Sequence, residues 1–227
     1  MENSTDLSRE QDANSIVTFL YGRNDSTSEA IVGGFSKYSQ VYERVFKAVN
    51  FNGYVETART AAELFPSNRE DVNILDVAAG TGLCAGELYT HGFRKLDALD
   101  PSMGMLDEAR KKALYNQYFN VAIGEHTLDI ESDTYDAVTI SGMSTVIMKQ
   151  LPIKAFEELI RIVKTGGYII NATYYKVFPE DGDEHTQMFR SNMKTLTTQG
   201  KWEQFQFRRF KEYVQGEDGA VSTHTVL

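Results

Sequence analysis

Residues 73–86 read NILDVAAGTGLCAG. An apolar run meets an acid, Asp76, and a turn carrying Gly80, Gly82 and Gly86 follows. Glycines after a strand let the backbone come close to a ligand, and a helix opening behind such a turn is a ready site for small groups. The run of 72–77 has no polar face before Asp76, as expected of a strand buried on both sides. Leu83–Thr90 then reads as a helix that His91-Gly92 ends.

The alternation continues outward from there. Strands are expected at Lys95–Leu99, Phe119–Ile123, Tyr135–Ser141 and Tyr168–Thr173, and helices at Ser102–Leu114 and Ile153–Val163. Ser102 has the chemistry of an N-cap. Fully apolar strands alternating with helices imply a parallel sheet covered on both faces, with right-handed crossovers. The C-terminal part differs: a helix at Gln187–Gln199, a strand at Trp202–Val214, a turn at Gly216–Gly219 and a last strand at Ala220–Leu227. Upstream, Phe35, Tyr38, Val41, Tyr42, Val45, Phe46 and Val49 recur at helical spacing, and a second helix over Tyr54–Phe65 stops at Pro66. Residues 1–29 are polar and are expected to be flexible, with a short apolar island, IVTFLY. Residues 30–227 are expected to form one domain: N-terminal helices in 35–65, a core in 72–173 and a substrate-side segment with hairpin in 174–227.

Composition narrows the function. The chain has 227 residues, 41% hydrophobic and 24% charged, with a formal net charge of -9. That charge argues against a nucleic-acid partner, and KWEQFQFRRFK near the C-terminus reads as solvated cations on an amphipathic strand. The one cysteine, Cys84, permits no disulfide within the chain, which suits a reducing compartment. No secretory signal or membrane-spanning run is present in the sequence, so a cytoplasmic protein is expected. No His/Cys/Asp cluster has zinc spacing, so no metal is expected. A phosphate loop is excluded by the lack of Gly-Lys-Ser/Thr after the turn.

Asp76 bears on what the turn holds. A carboxylate beside it repels a pyrophosphate and welcomes a cation, and S-adenosylmethionine carries an ammonium and a sulfonium but no phosphate. Orientation of the glycine loop by Asp76 is the plainer reading. Asp100, closing the second strand about twenty residues on, can accept from ribose hydroxyls. A nicotinamide site shares that feature, so an NAD(P)-dependent oxidoreductase stays open at this point.

The phrases ILDVAAGTGLCAGEL, LDALDPSMGMLDEAR, YDAVTISG and ELIRIVKTGGYIINATY stand in the order seen in class I S-adenosylmethionine-dependent methyltransferases. The chain resembles that family from about Phe35 onward, and is closer still to the methyltransferase-like proteins named after the Williams–Beuren syndrome chromosome region. The resemblance implies a Rossmann-like, doubly wound, mostly parallel seven-stranded α/β sheet with an antiparallel C-terminal hairpin and N-terminal lid helices. It implies S-adenosyl-L-methionine as cofactor and a small-molecule methyl acceptor, with the protein a monomer or homodimer. Asp76, Ala78, Gly80 and Gly82 would surround the methionine moiety, Asp100 the ribose, and Pro101 and Met105 the adenine. Ser141 and Gly142 would border the sulfonium, and the helix with Tyr38 and Tyr42 would form the lid. Two departures stand out. The family's Asp near the adenine amino group is replaced here by IGEH, which leaves Glu125 as its substitute, and Lys-Pro-Gly-Gly becomes Lys164-Thr165-Gly166-Gly167. Candidates for a general base are His126, Tyr174 and His185, with Glu180 beside the last. A non-catalytic binding protein on the same fold is the remaining alternative.

Overall fold

The computed structural model describes residues 16, 18, 27–124, 126–180, 182 and 186–227. The elements run α1 (Ser28–Ala48), α2 (Gly53–Leu64), β1 (Asn73–Val77), α3 (Leu83–Thr90), β2 (Lys95–Leu99), α4 (Met103–Arg110), β3 (Tyr118–Phe119), β4 (Tyr135–Ser141), α5 (Thr145–Gln150), α6 (Ile153–Ile162), β5 (Val163–Tyr174), α7 (Gln187–Thr198), β6 (Trp202–Val214) and β7 (Glu217–Val226). Seven strands form one sheet in the order β3-β2-β1-β4-β5-β7-β6. The first five are parallel, and β7 lies antiparallel to both β5 and β6. The Rossmann-like sheet finished by an antiparallel hairpin is thus as read from the sequence.

The strand order reverses between β1 and β4. In open α/β sheets, the crevice beyond the carboxyl ends of strands at such a point is where ligands bind. Here the crevice opens above Val77 and Ser141, the last residues of the two strands. Apolar side chains fill both faces beneath it. One cluster gathers Leu75, Val138, Leu159 and Ile162, and the opposite one Ile74, Ala85, Leu88 and Leu96, all fully or nearly fully buried.

Several boundaries differ from the sequence reading. The third strand is Tyr118–Phe119 rather than Phe119–Ile123, because pairing with β2 ends at Leu99–Phe119 and the chain then becomes crevice wall. The helix expected over Ser102–Leu114 ends at Arg110, and Ala113 sits in the left-handed region at φ 52°. Ser102 is indeed its N-cap, accepting from the Met105 N–H, a bond typically worth about 1 kcal/mol. The fifth strand starts at Val163, so the Lys164–Gly167 turn lies inside the strand as a register irregularity opposite Tyr135–Ala137. The last strand begins at Glu217 rather than Ala220, with Gly216 at φ 77° making the turn. Helix α1 starts at Ser28 because Thr27 caps it, accepting from the Ala30 N–H. Helix α5 was missing from the sequence reading. The expected flexible segment 1–29 and the IVTFLY island fall largely outside the described residues. No helix among the described residues is long and apolar enough to cross a membrane.

Candidate active site

The chain leaves β1 through Ala78, a non-glycine residue at φ 55°, and reaches Gly80 at φ 56°. Holding alanine in the left-handed region costs on the order of 1 kcal/mol, and the fold overrides that cost with bonds from both sides. The Ala79 N–H donates to Leu99 O at 3.2 Å, and the Gly82 N–H to Ala79 O at 2.9 Å. The Gly80 N–H donates to Asp100 Oδ2 at 2.9 Å, while Asp100 Oδ1 accepts from the Ser102 N–H at 2.8 Å. Asp100 therefore ties the glycine loop to the start of α4. Burial pushes its carboxyl up to about 6 against these two N–H donors and with a smaller push from the Asp76 charge.

Asp76 has a different setting. It is 1% exposed, and its two oxygens accept from the Tyr115 hydroxyl at 2.6 Å and the Thr139 hydroxyl at 2.8 Å. Burial pushes its carboxyl up to about 6, with both hydroxyls pulling it down. Asp76 lies under the loop, outside the cavity walls, so the structure places it as a fixed point for β1 and β4. Gly82 also stays out of the cavity walls; a side-chain carbon added there would stand 3.2 Å from the Tyr115 ring.

Three adjoining cavities fill the crevice. The largest, about 220 Å³, is a mainly apolar slot between Ala78, Leu99, Pro101, Ile123, Met143 and Ile147. Next to it lies a space lined by Ala78, Gly80, Asp100, Pro101, Met105 and Gly142. The third reaches Tyr42, Phe51, Tyr54, Gly80, Thr81 and Ser141. Of the residues read from the sequence, Ala78, Gly80, Asp100, Pro101, Met105, Ser141 and Gly142 thus come together around one crevice. Tyr38 does not line it: it packs against the aromatic cluster behind, and Val32, Phe35 and Tyr42 supply the lid face of α1. The seam between α1 and α4 is tight. The Ser36 and Ser102 hydroxyls are 2.7 Å apart, and a side-chain carbon on Gly104 would meet Ser36 O at 2.9 Å.

The candidate bases fare differently. His126 is exposed and borders a separate surface groove with Thr127, Lys154 and Glu157, which removes it from the crevice. Tyr174 packs against Tyr213 at 4.7 Å between ring centres, and burial pushes its phenol up to about 12. Glu125 and His185 lie outside the described residues. Cys84 is buried and its thiol is held well above its ordinary range, chiefly by burial and also by the Asp76 charge, which makes it inert. Among the described residues, no cluster of His, Cys, Asp and Glu is placed to hold a metal ion.

Sequence reading missed Phe51, Tyr54, Met143 and Ile147. Phe51 sits in the loop between α1 and α2, where no periodicity marks it. Met143 and Ile147 follow β4, and their signal was the apolar Val146-Ile147-Met148 run in a helix of only six residues.

S-Adenosylmethionine fits these residues. The Thr81 and Ser141 hydroxyls are buried at the crevice without a partner among the described residues, which is costly unless a polar ligand meets them. Each Asp100 oxygen has bonded one N–H and keeps capacity for a ribose hydroxyl. The space beside Gly80 is open: an added side-chain carbon meets nothing closer than 4.0 Å.

Comparison with known proteins agrees with this geometry. Residues 74–167 match the family described as "Methyltransferase domain". Methyltransferase-like protein 27 of Homo sapiens is 32% identical over 141 residues, covering 62% of this chain and 55% of that protein. A demethylmenaquinone methyltransferase of Clavibacter sepedonicus is 32% identical over 139 residues, covering 60% of this chain and 54% of that protein. The chain thus spans about half the length of the curated relatives it matches. The structure of a TehB-like SAM-dependent methyltransferase from Corynebacterium glutamicum superposes with a TM-score of 0.61 at 16% identity, covering 86% of this chain and 99% of that one.

Proposed function

We propose that this chain, a class I S-adenosylmethionine-dependent methyltransferase by domain and fold, moves the cofactor's methyl group to a small-molecule acceptor. The observation that carries the reading is the crevice at the β1–β4 reversal, where the Asp100 carboxylate and the two unpartnered hydroxyls of Thr81 and Ser141 converge. The reading extends to a cytoplasmic protein working as a monomer or homodimer.

When bound, the cofactor supplies a methyl group activated on a sulfonium sulfur. Asp100 holds the ribose side, and the apolar slot between Pro101, Ile123 and Met143 takes the adenine. Ser141 and Thr81 meet the polar methionine end. Tyr42, Phe51 and Tyr54 wall the crevice beside Ser141, and their ring faces suit both a cationic sulfur and a flat acceptor. The demethylmenaquinone methyltransferase among the relatives supports a flat ring as acceptor class. No group in the walls is poised as a base near neutral pH, and the Tyr174 phenol, pushed up to about 12, keeps its proton. Acceleration therefore comes from alignment and exclusion of water, effects that supply roughly 7–11 kcal/mol in well-oriented reactions.

Calorimetric titration with S-adenosylmethionine, S-adenosylhomocysteine and NADH tests the reading. The two sulfur ligands are expected to bind at micromolar concentration and NADH to give no heat. Binding of NADH alone, or silence from all three, would overturn it.

A further inference from the structure

A second cavity lies on the far side of the antiparallel hairpin. It is a groove of about 510 Å³ between α7 and the face of β6 and β7, closed at one end by Tyr175, Phe178 and Pro179. It shares no wall residue with the three cavities of the crevice. Gln204 pairs with His224 and Phe207 with Ser222 across the two strands, which puts these four side chains on its floor and rim.

His224 is its most informative residue. It is 3% exposed, and its ring stacks on Trp202 at 4.4 Å between centres with planes 29° apart. Burial holds the imidazole down to about 4, so the ring is neutral at physiological pH. Neither ring nitrogen has a hydrogen-bond partner among the described residues, although the residue lines the groove. A neutral imidazole offers one donor and one acceptor, and leaving both unmade in a buried position is costly unless a ligand or solvent satisfies them. Around it the chemistry is consistent. Phe178 and Phe207 meet edge to face at 5.1 Å, an apolar corner open to a flat ring. Lys194 stands on the rim without an ion pair among the described residues. Arg190 is nearby, with its guanidinium on Thr186 Oγ1 and Val177 O. None of the wall residues is acidic, in a chain of net charge -9.

We propose that this groove is a second ligand site, separate from the methyl-transfer crevice, for a small hydroxyaryl carboxylate. The ring lies in the Phe178–Phe207 corner, the carboxylate meets Lys194, and the ring hydroxyl bonds His224. The inference stands whether or not the methyl-transfer reading holds.

Trp202 is the chain's single tryptophan and lies directly under His224, so its fluorescence reports the site. Titration of the full chain with 4-hydroxybenzoate is expected to give a saturable change. The uncharged 4-hydroxybenzamide should bind at least fivefold more weakly, and the cationic 4-hydroxybenzylamine not at all. Lys194→Glu and Phe207→Ala, both at exposed rim positions, should each weaken 4-hydroxybenzoate at least fivefold. In His224→Phe, benzoate and 4-hydroxybenzoate should bind equally well, whereas the unaltered chain prefers the hydroxylated ligand. The proposal is overturned by an absence of saturable change, by unaltered affinity in both rim variants, or by displacement of 4-hydroxybenzoate with S-adenosylhomocysteine, which would put the ligand in the crevice instead.

Discussion

The two ends of the one sheet solve different problems. Beneath the crevice, β1 and β4 are short and buried along nearly their whole length, and the polar groups they carry, Asp76 and Thr139, face each other in the interior. At the other end β6 runs for 13 residues with most of its side chains exposed or half-exposed, and its buried polar neighbour on β7 is a neutral histidine. Parallel strands need cover on both faces, so any polar group among them must be bonded or serve a ligand. An antiparallel hairpin tolerates solvent on one face and is free to shape a groove there. The difference teaches that buried polarity has opposite sign at the two ends: acids under the crevice, an uncharged base under the groove.

The largest expected effect comes from breaking the crevice end. Asp76→Leu leaves the Tyr115 and Thr139 hydroxyls buried without partners, and should cost about 3 kcal/mol or more in urea unfolding. An unaltered midpoint would show that Asp76 does not anchor β1 to β4.

Acid sharpens the contrast next. Asp76 and Asp100 have folded-state values raised to about 6 from 3.8, so between those values the folded state holds protons that the unfolded chain has released. Their contribution is largest below 3.8 and is lost as pH rises through 6. His224 is lowered from 6.5 to about 4, so the unfolded chain takes up its proton first and stability is lost as pH falls from 6.5 toward 4. Between pH 7 and pH 5 each end should shift stability by about 2 kcal/mol, in opposite directions. The ligand-free protein should therefore be nearly level across that range, and His224→Phe should become more stable at pH 5 than at pH 7 by about 2 kcal/mol. Parallel pH profiles for the two proteins would remove the distinction between the ends.

The smallest effect concerns binding alone. Asp100→Asn keeps one acceptor for the backbone N–H groups and loses the charge, and should weaken S-adenosylmethionine about tenfold, or about 1.4 kcal/mol, without lowering thermal stability. Equal affinity in calorimetry would refute the ribose role of Asp100.

How far the sequence carried can be traced through particular residues. The strands Lys95–Leu99 and Tyr135–Ser141 were read to the residue, because a continuous apolar run between turn signals leaves few registers. The two-residue β3 was overestimated since Val121 and Ile123 look like strand, while in the fold they pack inward as part of the crevice side. The glycine loop, Asp100 and Ser141 were legible as local motifs. Phe51 and the exclusion of Tyr38 were not, because they depend on how α1 crosses α4, a long-range contact that no local pattern encodes. Likewise His224 could be counted in the sequence but not placed: its stacking on Trp202 joins two strands across a hairpin.

The seam between α1 and α4 has a kinetic consequence. The Ser36–Ser102 hydroxyl pair and the close passage of Gly104 beneath Ser36 clamp the wall that α1 gives to the crevice. Spent cofactor leaves and fresh cofactor enters only when that seam parts. The ceiling on turnover is then the frequency with which one helix lifts from another, a motion of microseconds to milliseconds in comparable lids, and a faster acceptor would gain nothing from being faster.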